Sequence, residues 1–235
     1  MIKFSLFLLA LVLSVSLSAA PSREAFALEE RQVSGVPLDA FEWGDANLTI
    51  ELWARSPMIF SPVSMDFDAQ GRLWLTEGID YQRGLRTEGG RSIIVLEDKD
   101  WDGKADSSHV FVTDPDIRHA ALGIAVFDNQ IVLSSTPSII VYTDVNRNAV
   151  FDEGIDKREV FLTGFRDASH DHTLHAVVGA PSGQWHFSYG NRGADIRTKD
   201  GRHHISGCYY GYSDGIGKKS SDGEVYVGGM TMRVN

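Results

Sequence analysis

Two stretches decide the fold: Ser92–Thr113, SIIVLEDKDWDGKADSSHVFVT, and Ser138–Thr163, SIIVYTDVNRNAVFDEGIDKREVFLT. The second begins 46 residues after the first. Each has a β-branched apolar run, a turn crowded with Asp and Asn, and a second β-prone run. A different pattern precedes each and recurs a third time: PVSMDFDAQGRLWLTEG from Pro62, ALGIAVFDNQIVLSST from Ala121 and LHAVVGAPSGQWHFSYG from Leu174. All three read as strand, tight turn, strand. Joined in order, the pieces make units of four short strands spaced by roughly 46 to 58 residues.

Four-stranded units at that period predict an all-β protein, a β-propeller with antiparallel blades. Helical periodicity is weak after residue 30. The reading gives two full blades, at about 60–113 and 119–164, and a third from about 172 that ends in GEVYVGGMTMRVN. NLTIELWARS, residues 47–56, reads as a lone strand. About three blades of a six- or seven-bladed ring are therefore expected. Residues 47–235 would be the N-terminal part of a propeller that continues in a longer protein, since half a ring would expose an unpaired strand edge.

The chain has 235 residues and a formal net charge of −10. That charge argues against nucleic acid as a partner and suits calcium or a neutral substrate. The start, MIKFSLFLLALVLSVSLSAAPSREAFALEE, sets Lys3 before an apolar run from Phe4 to Leu17. The run is short of the ~20 residues of a membrane span and reads as a secretory signal. Residues 1–27 are expected to be the signal and its cleavage region, and 28–46 a linker. Cleavage could follow Ser18-Ala19-Ala20 or Ala25-Phe26-Ala27. Cys208 is the single cysteine, so there is no internal disulfide and no C-x-x-C-H site for covalent haem.

The acidic turns suggest calcium. DKDWDGKAD places Asp98, Asp100, Asp102 and Asp106 in the D-x-D-x-D-G spacing of a calcium loop, with Gly103 at the bend. DVNRNAVFD repeats it with Asp144, Asn146, Asn148 and Asp152 and without the glycine. Neither carries Glu at position twelve, which excludes a standard EF-hand. Blade topology puts both turns on one face, where bound ions would be structural.

The opposite face collects other chemistry. HDHTLHAVVGAPSGQWHFSYGNRG, from His170 to Gly193, brings His170, His172 and His175 into the connection entering the third blade. Arg118 and His119 occupy the same connection one blade earlier. Asn191 and Arg192 follow the third blade's second strand, and Tyr81, Arg83 and Arg86 lie in the long loop of the first. The histidines could supply a base that takes a hydroxyl proton at neutral pH. They could ligate a transition metal, or only hydrogen-bond. Trp74 and Trp185 read as blade core, and His203-His204 as a solvated polar insertion.

The segments ELWARSPMIFSPVSMDFDAQGRLWLTEGIDY, SIIVLEDKDWDGKAD and HDHTLHAVVGAPSGQWHFSYGNRG resemble the N-terminal propeller of the PVC-type membrane-bound dehydrogenase family. Those are long exported bacterial proteins, often with a C-terminal C-x-x-C-H haem domain. Their propeller is similar to that of soluble quinoprotein glucose and aldose-sugar dehydrogenases. The resemblance implies oxidation of a sugar or alcohol C–OH with pyrroloquinoline quinone as cofactor, in the periplasm, outside the cell or at a membrane. By motif position the base falls on His172 and the group orienting it on Asn191. Arg118, His119, His175 and Arg192 would shape the cofactor pocket, and a c-type haem domain would be the electron partner. Where the quinoproteins carry a carboxylate, Asn191 is an amide. Its oxygen can hold an imidazole N–H, but it cannot stabilise an imidazolium by charge. The rival readings are a non-catalytic propeller binding glycan or protein, and a metal-dependent hydrolase or lactonase.

Overall fold

The computed structural model describes residues 38–42, 44–78, 91–117, 121–165, 172–190, 193–198, 200–206, 223–224 and 229–234. The expected signal segment lies outside these residues. So do Tyr81, Arg83, Arg86, Arg118, His119, His170, Asn191, Arg192 and Cys208.

Blade 1 is the antiparallel sheet β1 (Pro62–Phe67), β2 (Leu73–Glu77), β3 (Arg91–Glu97) and β4 (Ser107–Asp114), paired in that order. Blade 2 repeats it with β5 (Gly123–Phe127), β6 (Gln130–Ser135), β7 (Ser138–Thr143) and β8 (Lys157–Phe165). Blade 3 begins with β9 (Leu174–Gly179) and β10 (Trp185–Tyr189). Its third strand is β13 (Met230–Val234), which runs antiparallel to β10 from Trp185↔Val234 to Tyr189↔Met230. The expected four-strand order is thus met in the first two units, and three strands of the third are described.

The continuous apolar runs follow from blade stacking. A strand between two blades buries both faces, so alternate residues serve two cores. On β3, Ile93 and Val95 face the core between blades 1 and 2, while Ile94 and Leu96 face the other side of blade 1. On β7, Ile140 and Tyr142 join the first core, and Ile139 and Val141 join the core between blades 2 and 3. These residues are almost wholly buried, and each contributes about 1.5–3 kcal/mol on burial.

The innermost strands are tied by side chains rather than by a ladder. Ser64 Oγ and Asp66 Oδ2 on β1 accept from the β5 amides of Ile124 (3.2 Å) and Val126 (2.8 Å). Between blades 2 and 3 the backbones come closer. A Cβ on Gly123 would stand 2.6 Å from the His175 carbonyl oxygen.

One expectation needs correction and another gains detail. Residues 47–56 form no strand. Trp53, Ala54, Met58 and Ile59 pack irregularly over the outer core of blade 1, and the Trp53 carbonyl accepts from Ala105 N at 2.8 Å. His203, in the expected polar insertion, is exposed and His204 half-buried, but the insertion is ordered as strands. The two histidines open β12 (His203–Ser206), which forms a hairpin with β11 (Ala194–Arg197). Both strands lie in the sequence between the second and third strands of blade 3. Yet β11 pairs with β8, and so blade 2 becomes part of a six-stranded sheet. Gly164 permits this: its φ is +106°, and a Cβ there would fall 1.8 Å from the Asp195 carbonyl oxygen. Of the two tryptophans assigned to the core, Trp74 is buried, while Trp185 is half-buried and stacks on Phe127 at 5.6 Å.

Candidate functional site

The two ends of the blades carry different chemistry. At one end lie the β1–β2, β5–β6 and β9–β10 turns with the acidic β3–β4 and β7–β8 turns. At the other, the second strands of blades 1 and 2 end against the connection into the next blade. Thr76 Oγ1 donates to Ala121 O at 2.8 Å, and Thr136 Oγ1 contacts Thr173 Oγ1 at 2.8 Å.

His172 sits at this second end, two residues before β9, with an exposed side chain. Its backbone is pinned. Gly190 N donates to Thr173 O at 2.6 Å, and a Cβ on Gly190 would meet the His172 carbonyl group at 2.6 Å. Only glycine fits where the chain leaves β10 against the His172 backbone. His175, half-buried, projects from β9. Of the six residues expected to form the catalytic and cofactor cluster, these two histidines are described. Arg118, His119, Asn191 and Arg192 lie outside the described residues.

The acidic turns share one backbone. Trp101 (φ +61°) matches Arg147 (φ +62°), and Gly103 (φ +86°) matches Ala149 (φ +61°). The turn bonds match too. Gly103 N donates to Asp98 Oδ2 (3.0 Å) as Ala149 N does to Asp144 Oδ2 (2.9 Å). Lys104 N donates to Asp102 Oδ1 (2.9 Å) as Val150 N does to Asn148 Oδ1 (2.8 Å).

The interiors differ. In the first turn, oxygens of Asp98, Asp100 and Asp106 lie within 4.8 Å of one another, and buried Asp98 Oδ1 has no hydrogen-bond partner. An unpartnered buried carboxylate oxygen beside two others is costly unless a cation joins them. The donor set is all hard oxygen, which fits calcium. Asp102 points its Oδ1 to Lys104 N instead. In the second turn, Asn146 and Asn148 donate to Asp152 Oδ2 at 2.7 and 2.8 Å. Those amides hold the Asp152 carboxyl below its ordinary range. Asp156, which spacing alone did not single out, accepts from Val145 N and Asp152 N at 2.7 Å each. It takes the capping role that Asp106 plays in the first turn, where Lys99 N donates to Asp106 Oδ2 at 2.6 Å. The four extra residues before β8 are the signal that could have revealed it.

Residues 40–225 match a family described as a domain of unknown function, DUF7133. The chain belongs to that family. No curated protein matches it. Among solved structures it is similar to a Trichoderma reesei carbohydrate-active enzyme of family AA12, seen in an iodide and a calcium structure. The iodide structure is 16% identical, with a TM-score of 0.43, over 64% of this chain and 38% of that one. The calcium structure is 16% identical, with a TM-score of 0.44, over 63% and 37%. A protein described as a gluconolactonase is 17% identical, with a TM-score of 0.38, over 60% and 46%. The chain thus spans less than half the length of each solved chain. The DUF7133 domain seen here is all-β, with antiparallel propeller-like blades.

Proposed function

We propose that this DUF7133 chain is the first part of an exported, quinoprotein-dehydrogenase-like propeller that oxidises a sugar or alcohol C–OH. The observation that carries the reading is the contact of Gly190 with the His172 backbone. It fixes the backbone of His172, the expected base, at the end of blade 3, beside the residue that precedes the expected orienter, Asn191, in the sequence. There an imidazole nitrogen of His172 would accept the substrate hydroxyl proton, and the Asn191 amide oxygen would hold the ring through its other N–H. Pyrroloquinoline quinone, when bound, would supply the two-electron acceptor. His175, Arg118, His119 and Arg192 would line the pocket, and a c-type haem domain would receive the electrons. Calcium would be structural, held by Asp98, Asp100 and Asp106 in the first acidic turn.

The test uses the full-length protein. Calcium-loaded protein is titrated with pyrroloquinoline quinone by calorimetry, then assayed on a sugar and alcohol panel with an artificial electron acceptor. Tight quinone binding, with turnover lost in His172→Ala, is expected. A folded protein that binds no quinone overturns the dehydrogenase reading. One observation favours a second reading, a non-catalytic binding propeller: Asn191 stands where a charged orienter would best serve a base.

A further inference from the structure

Trp101 is 74% exposed, although the other described tryptophans, Trp53, Trp74 and Trp185, are buried or half-buried. Its φ is +61°, a conformation that bulky side chains rarely adopt. The second turn shows what the same position does when it is purely structural. There Arg147 reaches back to the β5–β6 turn and forms a bidentate pair with Asp128, both contacts at 2.6 Å. Trp101 also reaches back, to the β1–β2 turn, where a Cβ on Gly71 would meet the indole at 2.8 Å. One part of the ring rests on that glycine and the rest is open to solvent.

The indole forms a wall of a cleft of about 320 Å³ with Gln70, Gly71, Arg72, Glu97, Asp98 and Lys99. Gln70 and Arg72 also border a second cleft of about 180 Å³, which continues between the blades to Asn129 and Arg147. The cations along this track already face carboxylates: Arg72–Asp68 at 2.6 Å, Arg147–Asp128 at 2.6 Å and Lys99–Glu97 at 3.7 Å. An anionic ligand would have to compete for them. What remains is a flat aromatic surface beside amides and partly engaged planar donors. A pyranose ring, with an apolar C–H face and a belt of hydroxyls, matches that combination.

We infer that the Trp101 cleft, with its continuation past Gln70 and Arg72, binds a neutral oligosaccharide of at least two sugar units. One ring stacks on the indole and the next lies towards Asn129. The site is at the opposite end of the blades from His172, so it docks a glycan and performs no chemistry on it. It does not depend on the quinone reading.

The test is calorimetric titration of the full-length protein with soluble hexasaccharides of β-1,4-glucan, β-1,4-mannan, β-1,4-xylan and α-1,4-glucan. At least one should bind. Trp101→Ala should weaken it at least tenfold, Trp101→Tyr should keep it within about threefold, and His172→Ala should leave it unchanged. Gln70→Ala, a turn substitution that removes no core contact, should weaken it severalfold if Trp101→Ala does not fold. Binding equal in the wild type, Trp101→Ala and Gln70→Ala would overturn the assignment, as would no binding to any of the four. Loss in His172→Ala alone would place the sugar at the other end and overturn it too. Quinone titration of the same variants reads the dehydrogenase proposal separately.

Discussion

At the residue scale, Asp114 shows how one carboxylate joins two blades. It ends β4 and accepts from Tyr142 OH of β7 and Arg158 Nε of β8, both at 2.5 Å, and from Asp116 N at 2.8 Å. Burial alone would raise its pKa. The donors outweigh burial and hold the carboxyl below the 3.8 of a free aspartate. The same contact and its burial push the Tyr142 phenol far up. Asp114 therefore contributes its full stability above about pH 4 and loses it as pH falls through the depressed folded value. Asp114→Asn should cost about 1.5–3 kcal/mol near neutrality, because Tyr142 and Arg158 lose a charged acceptor, although Arg158 keeps its 2.6 Å pair with Asp116. Urea unfolding at pH 7 and pH 3 checks this. The difference between variant and wild type should shrink at the lower pH. Nothing in the local sequence announced the cluster, since its members come from three strands up to 44 residues apart. The acidic turns, by contrast, were legible as turns, because their Asp and Asn residues lie within nine positions and the repeat of that spacing is the repeat of one backbone.

At the scale of elements, the two acidic turns are a matched pair differing mainly in what neutralises them. Amides bridge to Asp152 in the second, while the first brings carboxylates together around an unpartnered oxygen. The first turn should bind one calcium ion, seen as a rise in melting temperature on calcium addition. Asp98→Ala should abolish that rise, and the second turn should show no calcium heat of its own. Transplanting the second solution into the first, as Asp100→Asn with Asp102→Asn, should give a protein whose melting temperature no longer responds to chelator. A chelator effect as large as in the wild type would contradict this account. The β11–β12 hairpin was read from sequence only as a polar insertion, without its strands. Its composition is polar because it lies on an outer edge, and its partner β8 belongs to another blade, a pairing that local pattern does not encode. Gly164→Ala should release it, given the 1.8 Å approach. Faster hydrogen exchange over residues 194–206 with little change in the β5–β7 amides would show it.

At the scale of the molecule, the repeat in the sequence became the repeat in space because successive blades bury facing apolar sides, with blade 2 packed on both. The period and the apolar runs were readable. The lone strand expected at 47–56 was not realised: Trp53 and Met58 are used as a lid on the outer core of blade 1, and one backbone bond to Ala105 replaces a ladder. The catalytic-face candidates were legible only as motif positions, since loops from several blades must converge to make a site. Coupling between blades should be measurable at Gly123. Gly123→Ala would force β5 from β9, costing about 1–3 kcal/mol, and should disturb His175 in the same stroke. A melting curve, with histidine NMR shifts compared between variant and wild type, checks both effects.

The hairpin has a mechanical meaning as well. Its chain enters from β10 and later returns to β13, both in blade 3, yet its bonds are made to β8 in blade 2. Any pull that opens the gap between these blades must load the β8–β11 ladder, in addition to the apolar packing behind it. In a force-extension experiment that seam should yield at higher load than the seam between blades 1 and 2. Gly164→Ala should bring the two to the same rupture force.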